Sequence, residues 1–264
     1  MDKKIIFFDI DGTLIEEGKD DITRSSIEAI HQAQKNGHLC FINTGRPKSI
    51  VGENITRYGF DGYICGCGTY LEYQGKEIFH TSIAPEVIRE VIAQSQKAGV
   101  DLFFEGKDGM IFPPRARTKD VNELKKVFQK QNAIVREYQY ESNECYQADK
   151  FMIWFTPGEN MTELKQFLQK DFDIIIRGED FWEVVPKGYS KASGIDLLLK
   201  YLGRDLNDTI SIGDSTNDIP MLKHTKESVL MGNGTHWLKN MVTYVTKDIT
   251  ENGIYHALEH FGLI

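Results

Sequence analysis

The chain alternates short apolar blocks with polar stretches rich in Gly and Asp, and the blocks follow the same order near both ends. "IIFF" (5–8) is an unbroken apolar run of strand length, as expected for a strand buried on both faces. Thr23 can cap a helix whose Ile27, Ile30 and Ala33 share one face and which ends near Asn36-Gly37. "HLCFIN" (His38 to Asn43) reads as a second buried strand and "DGYICG" as a third. Strands alternating with helices predict a right-handed parallel sheet. "YLEYQGKEIFH" reads as a hairpin turning at Gln74-Gly75.

The pattern changes between Ile83 and Pro186. Helical periodicity over Glu86–Ala98, Asp120–Gln131 and "NMTELKQFLQK" mixes with strands such as "VDLFFEG", "GMIFP", "FMIWF", "FDIII" and "FWEVV". After Lys187 the first pattern returns: a helix over Lys191–Leu202, strand "DTISIG", a short helix, strand "ESVLMG", "TYVT" and a terminal helix. The expected fold is therefore α/β, a Rossmann-like parallel sheet core carried by 1–82 and 187–264, with an inserted α+β domain at 83–186. There is no internal repeat.

A net charge of −8 disfavours a nucleic-acid partner. No apolar run approaches the ~18 residues of a membrane span, and the four apolar residues behind Lys3-Lys4 are too few for a signal peptide. Cys40, Cys65, Cys67 and Cys145 form no CxxC, and no His accompanies them at metal-ligand spacing. Reduced thiols and a cytoplasmic location are expected. Oligomeric state is not legible.

The candidate chemistry begins where the first strand ends. Alternation along an extended segment sets Asp9 and Asp11 side by side on one face. Two like charges there raise each other's pKa or require a cation. A solvated Asp-Gly turn, a metal site, and a nucleophile beside an acid/base all fit this pair alone. Ligands of open parallel sheets bind outside the carboxyl ends of the strands. At those ends stand Asp9 and Asp11, then Thr44-Gly45-Arg46, then Gly213-Asp214 with Asn217-Asp218. Converging carboxylates suit a hard cation such as Mg²⁺. Lys191 lies in the first turn of a helix, where a cation opposes the macrodipole. An anion held near that lysine would offset the cost. Acids, metal, hydroxyl and lysine together describe phosphoryl transfer.

The stretches "FFDIDGTL", "INTGRP", "VPKGYSKASGIDLLLKYLG" and "ISIGDSTNDIPML" resemble, in order, the four motifs of haloacid dehalogenase (HAD) superfamily phosphatases. The α+β insert and "VLMGNG" are similar to the Cof-like sugar-phosphatase branch with its cap domain. The resemblance implies the HAD fold and a Mg²⁺-dependent phosphatase acting on a small phosphorylated metabolite. It makes Asp9 the nucleophile that forms an aspartyl-phosphate, and Asp11 the acid that protonates the leaving alcohol and then activates water. Mg²⁺ would be held by the Asp9 carboxylate, the Asp11 carbonyl and the Asp214 carboxylate. Thr44, Gly45, Lys191 and Asn217 would bind phosphate, with Asp218 and Gly12 supporting them. Cys67-Gly68-Thr69 departs from the branch's usual Asn-Gly-Ala. Pro47 reads as a helix-entry residue, and Arg46 is either solvated or part of the site. Arg115 or Arg117, in the basic "PPRARTKD", is a candidate grip for a second phosphate.

Rival readings fit less of the chain. A glycosyltransferase DxD pair explains neither Lys191 nor "GDSTND", and an EF-hand fails at Ile219 and Thr225, where it needs Gly and Glu. "GCGTYL" lacks the third glycine of a dinucleotide fingerprint. A phospho-aspartate switch gains nothing from the acid/base at Asp11. A phosphomutase or phosphotransferase shares all four motifs and stays open.

Overall fold

The computed structural model describes residues 3–130, 133–140 and 144–264, which separate into two compact units. The first comprises residues up to Arg46, Val51–His80 and Ser190–Ile264; the second comprises Pro47–Ile50 and Thr81–Tyr189.

The first unit is built on an eight-stranded sheet of β1 (Ile5–Phe8), β2 (Leu39–Asn43), β3 (Gly62–Cys65), β4 (Tyr70–Tyr73), β5 (Lys76–His80), β12 (Thr209–Gly213), β13 (Glu227–Leu230) and β14 (Tyr244–Val245). The spatial order is β14-β13-β12-β1-β2-β3-β4-β5, parallel from β14 to β3 and antiparallel at the β3-β4-β5 edge. The α/β class read from the chain is what is found. Gln74 and Gly75 turn the terminal hairpin with φ of 49° and 74°, the left-handed pair that matches strand twist in a two-residue turn.

β1 and β12 are fully buried, and β2 is buried beyond Leu39; Ile6, Phe8, Ile42, Ile210 and Ile212 pack on one face, and Ile5, Phe7 and Phe41 on the other. Helices α1 (Arg24–Lys35) and α8 (Gly253–His260) cover the first face through Ala29, Ile30, Ala33, Ile254 and Leu258. Helices α6 (Lys191–Leu202) and α7 (Ile219–His224) cover the second through Ile195, Leu198, Leu199 and Met221. Thr23 caps α1, accepting the Ser26 amide at 3.4 Å. A short helix α2 (Glu53–Thr56) links β2 to β3.

The second unit holds a six-stranded sheet ordered β10-β11-β9-β6-β7-β8. Its strands are β6 (Asp101–Gly106), β7 (Gly109–Phe112), β8 (Val135–Glu137), β9 (Lys150–Trp154), β10 (Phe172–Ile176) and β11 (Phe181–Pro186). All pairs are antiparallel except β7-β8. Alternation divides this sheet: Leu102, Phe104, Phe151 and Ile153 pack under α3 (Pro85–Ala98) and α5 (Thr162–Leu168). Phe103, Met110, Phe112 and Trp154 pack with Val121 of α4 (Lys119–Lys130). Asp120–Gln131 was the expected range of α4, and its last residue lies outside the described residues. Ser49 belongs here too, donating to the Gly106 carbonyl at 2.6 Å, while Ile50 packs on the Phe103 side.

Candidate active site

Three parallel strands end side by side. β1 lies between β12 and β2, so the residues after Phe8, Gly213 and Asn43 emerge at one edge of the sheet. The strand stops at Phe8, although Asp9 still donates its amide to the Ile212 carbonyl at 3.0 Å. Beyond it the chain tightens: the Thr13, Leu14 and Ile15 amides all reach the Ile10 carbonyl, and Gly12 donates to Ile15. Two-residue alternation therefore does not carry from Asp9 to Asp11, and the two carboxylates part. Asp9 is 2% exposed, whereas the Asp11 side chain is 63% exposed and paired with Arg46. The expectation of a side-by-side pair is corrected on this point.

Asp9 joins a different set of acids. Oxygens of Asp9, Asp214 and Asp218 lie within 4.8 Å of one another. Lys191 Nζ donates to Asp9 Oδ1 and to Asp218 Oδ1, both at 2.5 Å. The other Asp218 oxygen accepts the amides of Asp214 and Ser215 at 2.9 and 3.0 Å. Thr13 donates its hydroxyl to Asp214 Oδ1 at 3.2 Å. Lys191 and Asp218 are 1% and 0% exposed, so this ion pair is dry.

Local sequence explains the placement. Ser190 caps α6 by accepting the Ser193 amide at 3.2 Å, and Ser193 returns a bond to the Ser190 amide at 2.8 Å. This capping box starts the helix one residue before Lys191. Asn43, at the end of β2, donates to the Lys191 carbonyl at 3.0 Å and ties that helix start to the strand. Gly12 has φ of 81°, and a Cβ there would stand 2.5 Å from Asp214 Oδ2. Glycine is required both for the turn and for the approach of Asp214.

Charge follows geometry. Burial, then the neighbouring Asp218, push Asp9 up to about 8 despite Lys191. Burial and Asp218 likewise push Asp214 up to about 7. Burial works against a charged Lys191, but Asp218 and Asp9 outweigh it and hold the ammonium above its ordinary value. The set holds three carboxylates against one lysine, more acid than one ammonium can balance, and Asp9 and Asp214 are raised accordingly. All donors are hard oxygens, which fits a divalent cation such as Mg²⁺ rather than a soft one.

The remaining expected residues stand as follows. Thr44 is buried after β2; its hydroxyl accepts the Arg46 amide at 3.1 Å and its carbonyl accepts the Cys67 amide at 3.2 Å. Gly45 is half-buried beside it. Cys67 sits in the left-handed region, φ 56°, a conformation that Asn adopts more readily than Cys. Asn217 is half-buried and accepts the Ser215 hydroxyl at 2.5 Å rather than reaching the acid set. Arg115 and Arg117 are exposed in the second unit, where Asp101 accepts the Arg117 and Thr118 amides at 3.0 and 2.6 Å.

Two contacts had no sequence reading. Arg46 forms a two-point ion pair with Asp11. Asn233 donates to the Gly12 carbonyl at 2.7 Å and accepts the Ile249 amide at 3.0 Å, clasping the loop after β1 to the loop after β13. "MGNG" was the available signal for Asn233; nothing local pairs Arg46 with Asp11.

Comparison with known proteins agrees with this architecture. The haloacid dehalogenase-like hydrolase family model matches residues 6–258. The chain belongs to that family, and it is an enzyme of the phosphatase type. It is 29% identical to YkrA of Bacillus subtilis (strain 168), a protein named for an inferred phosphatase activity, over 100% of both chains. It is 24% identical to the HMP-PP phosphatase of Yersinia enterocolitica, covering 98% of this chain and 95% of that one. Among solved structures, a HAD subclass IIB sugar phosphatase superposes with a TM-score of 0.84 at 31% identity, over 99% of this chain and 100% of that chain.

Proposed function

We propose that this chain is a Mg²⁺-dependent phosphatase of a small phosphorylated metabolite, a sugar phosphate or similar phosphomonoester, acting through an aspartyl-phosphate on Asp9. The observation that carries the proposal is the dry Asp9 carboxylate, oriented by Lys191 at 2.5 Å and packed against Asp214 at the edge where three strands end. An Asp9 oxygen attacks phosphorus while the bond to the leaving oxygen breaks, and Asp11 gives that oxygen its proton. Asp11 then takes a proton from water, whose oxygen attacks the acyl phosphate and restores Asp9. The Asp9 and Asp214 carboxylates with the Asp11 carbonyl would hold Mg²⁺, which supplies charge neutralisation when bound. Thr44, Gly45, Lys191 and Asn217 serve the phosphoryl oxygens, with Asp218 and Gly12 behind them. Residues 83–186 act as a cap that selects the leaving group, and the four free cysteines suit a reducing cytoplasm.

The relatives' names set the range of a screen, from sugar phosphates to HMP-PP. Release of inorganic phosphate from such a panel with Mg²⁺ tests the activity. Asp9→Asn should abolish turnover with the fold intact. Substantial phosphate release by that variant would refute the covalent route.

A further inference from the structure

We propose that Arg46 is a positioning residue for the reaction: it orients the Asp11 carboxylate through a two-point ion pair. The inference rests on the phosphatase reading above. Arg46 Nε donates to Asp11 Oδ2 at 2.9 Å, and Nη2 donates to Oδ1. The Asp11 side chain is otherwise 63% exposed, and Arg46 is its one side-chain partner among the described residues.

The arginine is itself anchored. Its amide donates to Thr44 Oγ1 at 3.1 Å, and its carbonyl accepts the Gly66 amide at 2.8 Å. Only 26% of its side chain is exposed. A guanidinium fork bonded to both carboxylate oxygens fixes direction as well as distance, which a point charge cannot do. Without the fork, an exposed aspartate turns freely about its side-chain torsions. Proton transfer needs hydrogen-bond reach to one particular oxygen, and a misplacement of about 1 Å can lower a rate by roughly 10². The same group, on the same loop as Thr44, thus serves the acid rather than the phosphate.

The test uses two probes of one shape and different leaving groups. p-Nitrophenolate departs without a proton, whereas phenolate departs more readily with one. kcat/KM reports the steps through leaving-group departure, so it isolates the first proton transfer. Arg46→Ala should lower kcat/KM for phenyl phosphate by about 10–10², and for p-nitrophenyl phosphate by about threefold or less. In an Asp11→Asn background the same change should add less than about twofold, since its effect runs through Asp11. Free guanidinium should restore part of the phenyl phosphate rate of Arg46→Ala, and equal sodium chloride should not. If Arg46→Ala does not fold, Arg46→Lys keeps the charge and backbone bonds and should show the same selective loss, smaller in size.

Equal losses for both probes, with weaker inhibition by inorganic phosphate, would make Arg46 a phosphate ligand and overturn the inference. Additive losses in the Asp11→Asn background would overturn it as well. A wild type inert toward both probes would overturn the phosphatase reading, and this inference with it. Wild-type turnover that Arg46→Ala leaves unchanged would overturn this inference alone.

Discussion

Replacing Lys191 by methionine removes one charge from a dry cluster and keeps most of the side-chain volume. Nζ is 2.5 Å from both Asp9 and Asp218, and none of the three side chains is more than 3% exposed. Deleting one partner of a buried ion pair strands the other charge, at a cost of about 3–5 kcal/mol. For a chain of this size that is roughly 6–20 °C of melting temperature. The sign of the pH dependence follows from the acids. Asp9 and Asp214, at about 8 and about 7, lie above their ordinary value. Their ionisation therefore opposes folding, negligibly below about pH 4 and increasingly as pH rises towards about 8. Lys191 is raised, so its contribution is constant well below its ordinary range. Without it the acids move further up, and the deficit of Lys191→Met should widen between pH 5 and pH 8. Calorimetric melts in EDTA at both pH values measure this. Equal melting temperatures for mutant and wild type at pH 8 would refute the reasoning.

The same acids predict that metal stabilises the wild type more at pH 8 than at pH 5. At a hundred times its dissociation constant, Mg²⁺ should add about 2.7 kcal/mol, read as a thermal shift after EDTA treatment. An equal shift at both pH values would contradict the coupling. Gly12→Ala forces a φ of 81° on a residue with a Cβ and drives that Cβ to 2.5 Å from Asp214. It should cost about 1–3 kcal/mol and most of the turnover, measured by melting and by phosphate release; a fully active, equally stable variant would show that the loop has room.

How far the sequence carried this picture depends on the range of the interaction. The first strand was legible because four successive apolar residues, "IIFF", fit a doubly covered sheet. The start of the helix over Lys191–Leu202 and the turn at Gln74-Gly75 were legible because caps and turns are written within four residues. The sheet order was not, since no local signal says that β12 pairs with β1 across two hundred residues. Pro47 reads as a helix-entry residue, but nothing local says that Pro47–Ile50 pack with the second unit, because their partners, the Gly106 carbonyl and the Phe103 cluster, lie far along the chain. The Asp9–Asp11 alternation misled because it assumed the strand continued, whereas the Ile10 carbonyl gathers three amides and turns the chain.

That turn explains why two acids so close in sequence have different environments. On the proposed mechanism the nucleophile must be held still and kept from water, and Asp9 has Lys191 on one oxygen and is 2% exposed. On the same mechanism the acid must exchange protons with solvent and substrate, and the Asp11 side chain stays 63% exposed. Had the strand run on to Asp11, both carboxylates would lie on one dry face beside Asp214 and Asp218. Four acids would then face one lysine, and the cost of ionising them would rise with each. The Gly12 turn leaves Asp11 out of that close group, although its charge still raises Asp214, and three carboxylates stand beside one ammonium. Burial and the excess of acids hold Asp9 at about 8 and Asp214 at about 7, and a dication would offset both of them once ionised, where a monovalent ion would offset one. On the proposed mechanism the number of acids thereby favours a divalent ion, and Asp218, bonded to Lys191 and two backbone amides, is the acid least free to turn toward it.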